Sequence, residues 1–364
     1  MKTRYYVIGL MSGTSLDGLD IAYCEFKAEG DEWEWTIPFA ETVKYDKYLY
    51  GQLKAAPAMN GLELALLNTS YGHWIGHAVT AFIDKYNLHP DLIASHGHTV
   101  FHRPSEKMTL QIGSGAAIAA EIMITTVSDF RSLNVALGGQ GAPLVPIGDR
   151  MLFGKFDACV NIGGFANISF ESSDKKRVAF DICPANIVLN ILANRFGMPY
   201  DSYGKLAAEG SIDPSLFNKL ENLEFYKRKG PKSLGREWVE HMIFPLIENS
   251  GLDTKTLLST FTNHIASQIS STLPSGKARK VIFTGGGTHN SRLISLIKEK
   301  TSCEIVIPEE NVINFKEALI FAFLGVLRIK GMFNCLADAT GSSLDCSGGA
   351  IHLPPQPKQI NHVR

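Results

Sequence analysis

The chain has 364 residues, enough for two domains, and its 35 lysines and arginines nearly balance its 36 aspartates and glutamates. The formal net charge of −1 provides no general attraction to nucleic acid or to a membrane surface, so neither is expected as a partner. The six cysteines include no Cys-x-x-Cys pair, which argues against a zinc site and a disulfide framework and is typical of a cytoplasmic protein.

The first predicted element is a β-hairpin with a polar turn. Apolar residues 5–10 and 21–24 predict two strands, and residues 11–20 between them contain glycines, hydroxyl groups and carboxylates. Such a turn is either an ordinary hairpin or a phosphate site, in which backbone N–H groups bind the anion and a carboxylate holds hydrated Mg²⁺. Residues 33–37 predict a third strand, so the chain opens with a three-stranded meander.

A histidine pair lies in the first predicted helix. Residues 62–86 have apolar residues at helical spacing, with a break expected near Gly72 or Gly76. His73 and His77 lie one turn apart there, a spacing that can bind a metal ion. Because the sequence supplies no third ligand beside them, a structural or surface role is favoured.

A second group of histidines follows a predicted buried strand. Residues 91–95 form the strand, and residues 96–103 place three histidines at its end, where open α/β sheets bind ligands. Because neither a carboxylate nor a cysteine accompanies them, hydrogen bonding to a sugar or phosphate is favoured over metal binding. Residues 116–122 then predict a helix, 125–130 a strand, and the glycine- and proline-rich loop 131–146 a crossing between domains.

The second half of the chain repeats the design of the first. Residues 156–162 predict a strand, residues 163–164 a glycine turn, and residues 168–170 a returning strand. A further strand, 177–180, ends in Asp181 and leads into an apolar helix. Each half therefore begins with a strand, a glycine hairpin and further strands, which predicts two related α/β lobes that face one another.

A third glycine turn follows an amphipathic helix. Apolar residues between 257 and 269 recur at helical spacing and predict a helix packed in the core. Residues 280–283 predict a strand that runs into Gly285, Gly286 and Gly287 and then into another helix. This order favours nucleotide binding, because the glycines expose bare backbone and the helix N-terminus attracts negative charge.

Five segments together resemble one family, the anhydro-N-acetylmuramic acid kinases of the actin, Hsp70 and sugar kinase superfamily. They are residues 11–20, 95–100, 161–167, 231–237 and 285–290. The resemblance implies an α/β fold of two ribonuclease H-like lobes with an ATP cleft between them. The first lobe would span residues 1–135, joined by about 340–364, and the second would span 136–339.

The resemblance also implies a reaction. ATP and water would convert 1,6-anhydro-N-acetylmuramic acid into N-acetylmuramic acid 6-phosphate in the recycling of peptidoglycan, with Asp181 as the base that takes a proton from the water. Mg²⁺ would accompany ATP, held through phosphate and water rather than by a firm set of protein ligands. The implied partners are ATP and the amino sugar, and a homodimer is compatible with the resemblance.

Further site residues are carried over from the family by position. The resemblance assigns ATP and its phosphates to Ser12, Gly13, Thr14, Ser15, Leu16, Asp17, Gly18, Leu19, Asp20, Gly163, Gly164, Asn167, Gly285, Gly286 and Gly287. It assigns the sugar to His98, Thr99, Arg131 and Glu317.

The chain departs from the family pattern around its aspartate. The family reads Asp-Thr-Gly-Pro-Gly-Asn and closes the segment with a second aspartate, whereas this chain has Ile182, Cys183 and Ala185 in that run and Asn190 at its end. His98 replaces an expected glutamine. Two alternatives therefore stay open: a kinase of another amino sugar, and a catalytically weak, nucleotide-binding regulatory protein on the same scaffold.

Overall fold

The computed structural model describes residues 2–13, 16–30, 32–228, 230 and 232–355. The chain divides into two compact units, Met1–Leu152 with Phe315–Arg364 (unit 1) and Phe153–Asn314 (unit 2). Within the described ranges, no helix combines the length and the apolar character that a membrane span requires.

The strands and helices follow one another along both units. The strands are β1 (Arg4–Ser12), β2 (Leu19–Glu29), β3 (Glu32–Val43), β4 (Leu92–Arg103), β5 (Met108–Ile112), β6 (Thr126–Ser128), β7 (Ala158–Ile162), β8 (Phe165–Glu171), β9 (Arg177–Pro184), β10 (Lys280–Thr284), β11 (Glu304–Val306) and β12 (Ala350–His352). The α-helices are α1 (Lys47–Ala55), α2 (Gly61–Tyr86), α3 (Gly115–Ile122), α4 (Ser132–Ala136), α5 (Val145–Leu152), α6 (Asn186–Asn194), α7 (Lys205–Glu209), α8 (Pro214–Glu221), α9 (Glu224–Lys227), α10 (Arg236–Trp238), α11 (Phe244–Glu248), α12 (Thr254–Thr272), α13 (Ser291–Lys300), α14 (Glu310–Ile329) and α15 (Ala337–Thr340).

Unit 1 is built on a mixed sheet with the strand order β12-β6-β4-β1-β2-β3, and β5 pairs with β4. Strand β1 runs antiparallel to β2 and parallel to β4. Ile8 and Leu10 of β1 share an apolar core with Tyr71 of α2. Helix α14 lies directly on the other face of β1, since a Cβ at Gly9 would come within 1.9 Å of the Ala318 carbonyl oxygen.

Unit 2 has a sheet with the order β11-β10-β7-β8-β9. Strand β7 runs antiparallel to β8 and parallel to β10. Phe261 and Ile265 of α12 are buried in one core with Val160 of β7 and Phe283 of β10. The prediction that this amphipathic helix packs in the core is confirmed.

The two units repeat one topology. In each unit, three consecutive strands form an antiparallel meander. The first strand of the meander, β1 or β7, also pairs in parallel with a later strand, β4 or β10. That later strand pairs in parallel with one more, β6 or β11. The orders β6-β4-β1-β2-β3 and β11-β10-β7-β8-β9 therefore correspond strand by strand. The predicted α/β fold with two related lobes is confirmed.

Helix α2 is continuous, so the predicted break near Gly72 or Gly76 is wrong. Both glycines serve helix packing instead, because each faces the segment that carries α3, and a Cβ at Gly76 would lie 2.5 Å from the Cβ of Glu121. Glu121 also contacts His73 at 2.5 Å and His77 at 3.3 Å. The histidine pair therefore links α2 to α3.

Strand β4 continues beyond the point where the sequence predicts its end. Gly97 has a φ of +74°, and a Cβ there would lie 2.6 Å from the Ile112 carbonyl oxygen. Because glycine tolerates this conformation and close approach, the chain bends at Gly97 and goes on to pair with β5. The three histidines of residues 96–103 thus lie in the β4–β5 hairpin.

The unit boundaries fall at 152/153 and 314/315, whereas the sequence places them at 135/136 and 339/340. Helix α5 belongs to unit 1, because Trp35 Nε1 donates to the Leu152 carbonyl at 3.0 Å. The buried side chains of Asp149 and Lys316 form an ion pair at 2.7 Å, which ties α5 to α14. The second boundary lies inside α14, at Phe315, where the helical φ/ψ pattern is interrupted.

Candidate active site

Asp181 lies in β9 opposite Asn167 of β8 and is held by two hydrogen bonds to a segment that follows α9. Its Oδ2 accepts from the Leu234 N–H at 2.8 Å, and its own N–H donates to the Lys232 carbonyl at 2.9 Å. Desolvation by burial raises the pKa of Asp181, and the Leu234 N–H lowers it. Oδ1 of Asp181 has no hydrogen-bond partner among the described residues, so this oxygen can accept a proton.

Gly163 and Gly164 form the turn between β7 and β8. Helix α6 begins directly behind the turn, where the N–H groups of Ala185 and Ile187 donate to the Gly164 carbonyl at 2.8 and 3.2 Å. A Cβ at Gly163 would come no closer than 3.5 Å to another group, and one at Gly164 no closer than 3.9 Å. The turn therefore presents bare backbone with room for an anion.

The glycines after β10 have different surroundings. A Cβ at Gly285 would lie 2.7 Å from the Ile162 carbonyl oxygen, and one at Gly287 would lie 2.2 Å from Ile162 Cγ2. A Cβ at Gly286 would meet no atom within 4 Å. Gly285 and Gly287 thus let this turn pack against the end of β7, while Gly286 faces open space.

A cavity of 490 Å³ in unit 2 opens at these glycines. Its volume lies in the usual range of small-molecule sites. The side chains that line it offer amide, carboxylate, imidazole and aromatic groups. They include Asn186, Asn190, Tyr200, Asp201, Tyr203, His289, Asn290 and Glu310.

The corresponding hairpin of unit 1 is more polar. Ser12 Oγ accepts a hydrogen bond from the Tyr45 hydroxyl at 2.7 Å and lies 3.3 Å from His98 Nδ1. Desolvation by burial lowers the pKa of His98, and a hydrogen bond to the Gly13 backbone raises it. Gly18 has a φ of +148°, so glycine is favoured there. Thr14 and Ser15, two of the residues assigned to ATP, lie outside the described residues.

Carboxylates gather near this hairpin. Asp20 Oδ1 accepts from Thr42 Oγ1 at 2.6 Å. Desolvation by burial raises the pKa of Asp20, the bond from Thr42 lowers it, and the charge of Asp17 raises it. Desolvation also raises the pKa of Glu317; the charge of Arg131 lowers this pKa and the charge of Asp20 raises it. These poorly solvated negative charges would be stabilised by a cation.

Within the described ranges, no group of three or more histidine, cysteine, aspartate or glutamate side chains is placed to hold a metal ion. Asp17 and Asp20 nevertheless supply hard oxygen donors at the turn. Mg²⁺ commonly uses one or two carboxylates and completes its shell with water and phosphate oxygens. The carboxylates therefore fit a hydrated Mg²⁺ that enters with a nucleotide.

A cavity of 280 Å³ in unit 1 lies among the residues that precede and follow the histidine segment. Ser95 Oγ and Gln111 Oε1, at its lining, are buried and have no hydrogen-bond partner among the described residues. Gln111 Nε2 donates to Thr99 Oγ1 at 3.3 Å. Unsatisfied buried polar atoms are costly, so this cavity suits a ligand rich in hydroxyl and amide groups.

Arg131 borders the same cavity through His96. Its Nε donates to His96 Nε2 at 2.9 Å, and its Nη1 donates to the Gly141 carbonyl at 2.6 Å. Desolvation by burial and then the charge of Arg131 lower the pKa of His96 well below its ordinary value. His96 is therefore neutral and can accept the hydrogen bond that orients Arg131.

A family model described as anhydro-N-acetylmuramic acid kinase matches residues 5–354 of the chain. The chain belongs to the anhydro-N-acetylmuramic acid kinase family. It is 32% identical over 380 residues to an anhydro-N-acetylmuramic acid kinase of Bacillus cereus (strain 03BB102), covering 96% of this chain and 100% of the relative. It is 33% identical over 380 residues to the kinase of the same name from Francisella tularensis subsp. novicida (strain U112), covering 97% and 100%.

Membership of the anhydro-N-acetylmuramic acid kinase family makes the protein an ATP-dependent kinase, that is, a phosphotransferase. The resemblance predicted from five sequence segments is thereby confirmed. Among solved structures, the chain is similar to an activator of a 2-hydroxyisocaproyl-CoA dehydratase from Clostridium difficile with bound ADPNP. That likeness has a TM-score of 0.41 and 12% identity, covers 89% of this chain and 96% of the other, and adds nothing to the assignment.

The structure shows where the residues that depart from the family pattern lie. Ile182, Cys183 and Ala185 are buried in the core of unit 2. Asn190, by contrast, lines the 490 Å³ cavity. Three of these four substitutions therefore change packing behind Asp181, and one changes a side chain that faces the cavity.

Some residues of these sites carried no signal in the sequence. Tyr200 and Tyr203 line the cavity of unit 2 from a short connection between helices, where neither strand alternation nor helical spacing applies. The Leu234 N–H reaches Asp181 from 53 residues away, and a backbone donor has no sequence signature. Ser95 lies in a motif segment and Gln111 does not, and only their unsatisfied buried atoms single them out.

Proposed function

We propose that this protein uses ATP and water to convert 1,6-anhydro-N-acetylmuramic acid into N-acetylmuramic acid 6-phosphate, as part of peptidoglycan recycling. The observation that carries the proposal is the state of Asp181. One carboxylate oxygen is fixed by a backbone N–H, the other has no hydrogen-bond partner among the described residues, and desolvation raises the pKa of the group. A carboxylate of this kind can act as a general base near neutral pH.

The chemistry explains why such a base is needed. In the anhydro sugar O6 is bonded to C1 and carries no proton, so a water must attack C1. The water oxygen then bonds to C1 as the C1–O6 bond breaks, and O6 bonds to the γ-phosphorus as the bond to ADP breaks. Asp181 Oδ1 takes the proton that the water loses. The products are ADP and the sugar 6-phosphate, and the proton passes from Asp181 to solvent.

We assign ATP to glycine turns of both units. In unit 2 the open faces of Gly163, Gly164 and Gly286 allow close approach of phosphate and ribose, and the 490 Å³ cavity has room for the nucleoside. In unit 1 the same role falls to the turn at residues 12–20, which includes Ser12, Gly13, Thr14, Ser15, Leu16, Asp17, Gly18, Leu19 and Asp20. Asn167, Gly285 and Gly287 complete the set as residues that shape the turns.

We assign Mg²⁺ to Asp17 and Asp20, with water between the ion and the protein. When bound, Mg²⁺ offsets the charge of the phosphates and orients them. The bond from Thr42 occupies Oδ1 of Asp20, and among the described residues Oδ2 has no hydrogen-bond partner, so it can accept from a water of the metal. The raised pKa of Asp20 fits a carboxylate that gains from a nearby cation.

We assign the sugar to His98, Thr99, Arg131 and Glu317. Two observations support the assignment: Gln111, with its unsatisfied oxygen, hydrogen-bonds Thr99, and neutral His96 orients Arg131. The charge of Arg131 also acts on Glu317, since it lowers the pKa of that carboxylate. Alignment of water, sugar and ATP could lower the activation free energy by roughly 7–11 kcal/mol. General base catalysis typically raises the rate by roughly 10²–10⁴-fold, which is a smaller effect.

A labelling experiment tests the proposal. The protein is incubated with Mg-ATP and 1,6-anhydro-N-acetylmuramic acid in H₂¹⁸O, and the products are analysed by mass spectrometry. We expect sugar 6-phosphate with one ¹⁸O in the sugar and none in the phosphate. Labelled inorganic phosphate without sugar phosphate would mean ATP hydrolysis and would overturn the assignment. N-acetylglucosamine in place of the anhydro sugar is the control for a kinase of another amino sugar.

The setting of the reaction is part of the proposal. We place the protein in the cytoplasm, because the cysteines of the described residues are buried thiols that form no disulfide. We also propose a homodimer, since Tyr48, Leu62 and Leu66 expose apolar surface on α1 and α2. Light scattering on the purified protein tests the dimer, and a monomeric mass at micromolar concentration would exclude it.

A further inference from the structure

The segment that includes Gly230 and residues 232–234 packs along β9 at Phe180 and Asp181. Lys232 and Leu234 form the two hydrogen bonds to Asp181. Gly230 lies against Phe180, since a Cβ at Gly230 would come within 2.4 Å of the ring. The position of the carboxylate therefore depends on a segment that belongs to no helix or strand.

The side chain of Lys232 fastens this segment to α9. Lys232 Nζ donates to the Phe225 carbonyl at 3.1 Å and lies 4.4 Å from the centroid of the Phe225 ring. The Tyr226 ring is 5.9 Å away. Phe225 is buried in unit 2, so the ammonium group is attached to a fixed part of the core rather than to a surface side chain. The negative face of an aromatic ring attracts a cation placed over it.

The charges around Lys232 do not include a carboxylate partner among the described residues. Desolvation by burial lowers the pKa of Lys232, the nearby thiol of Cys183 raises it and Arg228 lowers it. Its exposed neighbour Lys227 instead pairs with Glu224 at 2.6 Å. Lys227 thus forms an ion pair at the surface, whereas Lys232 joins the core to the segment that holds Asp181.

We infer that Lys232 is a positioning residue that acts through Asp181: its attachment to Phe225 fixes the Leu234 N–H, and this donor keeps Oδ2 occupied and Oδ1 directed at the reacting water. The inference rests on the proposed role of Asp181 as the base. Lys232 itself does not touch the substrate. A displacement of about 1 Å at a reacting group can lower the rate by about 10²-fold, so a loose segment is costly even when the fold is kept.

The test is a double-mutant cycle on the full-length protein. Lys232→Met keeps the length of the side chain and removes the charge, and we expect kcat to fall roughly 10- to 100-fold with the KM for ATP and the melting temperature little changed. Lys232→Arg should recover most of the loss, because guanidinium also stacks on aromatic rings. Lys227→Met is the matched control and should behave as the wild type.

The second half of the cycle adds Asp181→Asn. If Lys232 acts through Asp181, Lys232→Met should have no further effect on kcat in the Asp181→Asn background. Two independent losses that multiply, or a KM for ATP that rises tenfold, would instead give Lys232 a direct role at the phosphates and overturn the inference. If Asp181→Asn alone leaves kcat unchanged, the proposed base has failed, which is a separate result.

Discussion

The two glycine hairpins have the same topology and different chemistry. The β1–β2 hairpin carries Ser12, Asp17 and Asp20; Ser12 accepts a hydrogen bond from Tyr45, and Asp20 accepts one from Thr42 of β3. The β7–β8 turn consists of Gly163 and Gly164 with open space beside them. The two turns thus differ in what they offer: unit 1 supplies charged oxygens suited to a cation, and unit 2 supplies bare backbone suited to an anion, with the proposed base on β9, the strand next to the turn.

The largest expected effect tests the proposed role of Asp181 in unit 2 as a base. Asp181→Asn keeps the shape and the bond from Leu234 but cannot accept a proton. We expect kcat to fall about 10²–10⁴-fold, because that is the usual share of general base catalysis. ADP affinity, measured by calorimetry, should stay within about twofold because the glycine turns are untouched. A variant with full turnover would remove Asp181 from the mechanism.

A matched pair of glycine variants separates packing from ligand binding in unit 2. Gly287→Ala should lower the free energy of unfolding by about 1–3 kcal/mol, because its Cβ would lie 2.2 Å from Ile162 Cγ2. Gly286→Ala should unfold like the wild type, since no atom lies within 4 Å of its Cβ, and should weaken ADP binding instead. Urea unfolding and calorimetry measure the two. Equal destabilisation of both variants would contradict the distinction.

A variant of unit 1 tests its preference for a cation. Asp20→Asn removes one negative charge beside the turn, and we expect the Mg²⁺ concentration for half-maximal rate to rise about tenfold or more. The measurement is the initial rate across a Mg²⁺ titration at saturating ATP. Asp174→Asn, in an exposed turn of unit 2, is the control. An unchanged Mg²⁺ dependence of Asp20→Asn would mean that the two hairpins do not differ in this respect.

The smallest expected effect is a shift in the pH profile. A base works only when it is deprotonated, and desolvation raises the pKa of Asp181 above the ordinary 3.8. The acid limb of kcat should therefore lie at a higher pH than that of an ordinary aspartate, so that activity is lost earlier on acidification. Circular dichroism at each pH checks that the fold is kept. An acid limb at or below the ordinary pKa of an aspartate would show that burial does not raise the pKa of Asp181.

Local patterns in the sequence were sufficient for most of the fold. Strands β1 and β2 follow from two apolar runs around a polar turn, and α12 follows from apolar residues at helical spacing, because both patterns depend on near neighbours. The predicted break of α2 failed for a tertiary reason: Gly76 accommodates Glu121 of another helix. The domain boundary shifted for the same kind of reason, since Asp149 and Lys316 pair across a long separation.

The sequence by itself determined the duplicated order of elements, the positions of the glycine turns and of Asp181, and the resemblance to the kinase family. Each of these features depends on residues that follow one another in the sequence. Only the tertiary structure decided that the Leu234 N–H occupies Oδ2 of Asp181 and that Ile182, Cys183 and Ala185 are buried. Both depend on segments distant in sequence, such as the one carrying Lys232 and Leu234, and such contacts are set by packing of the whole unit rather than by local pattern.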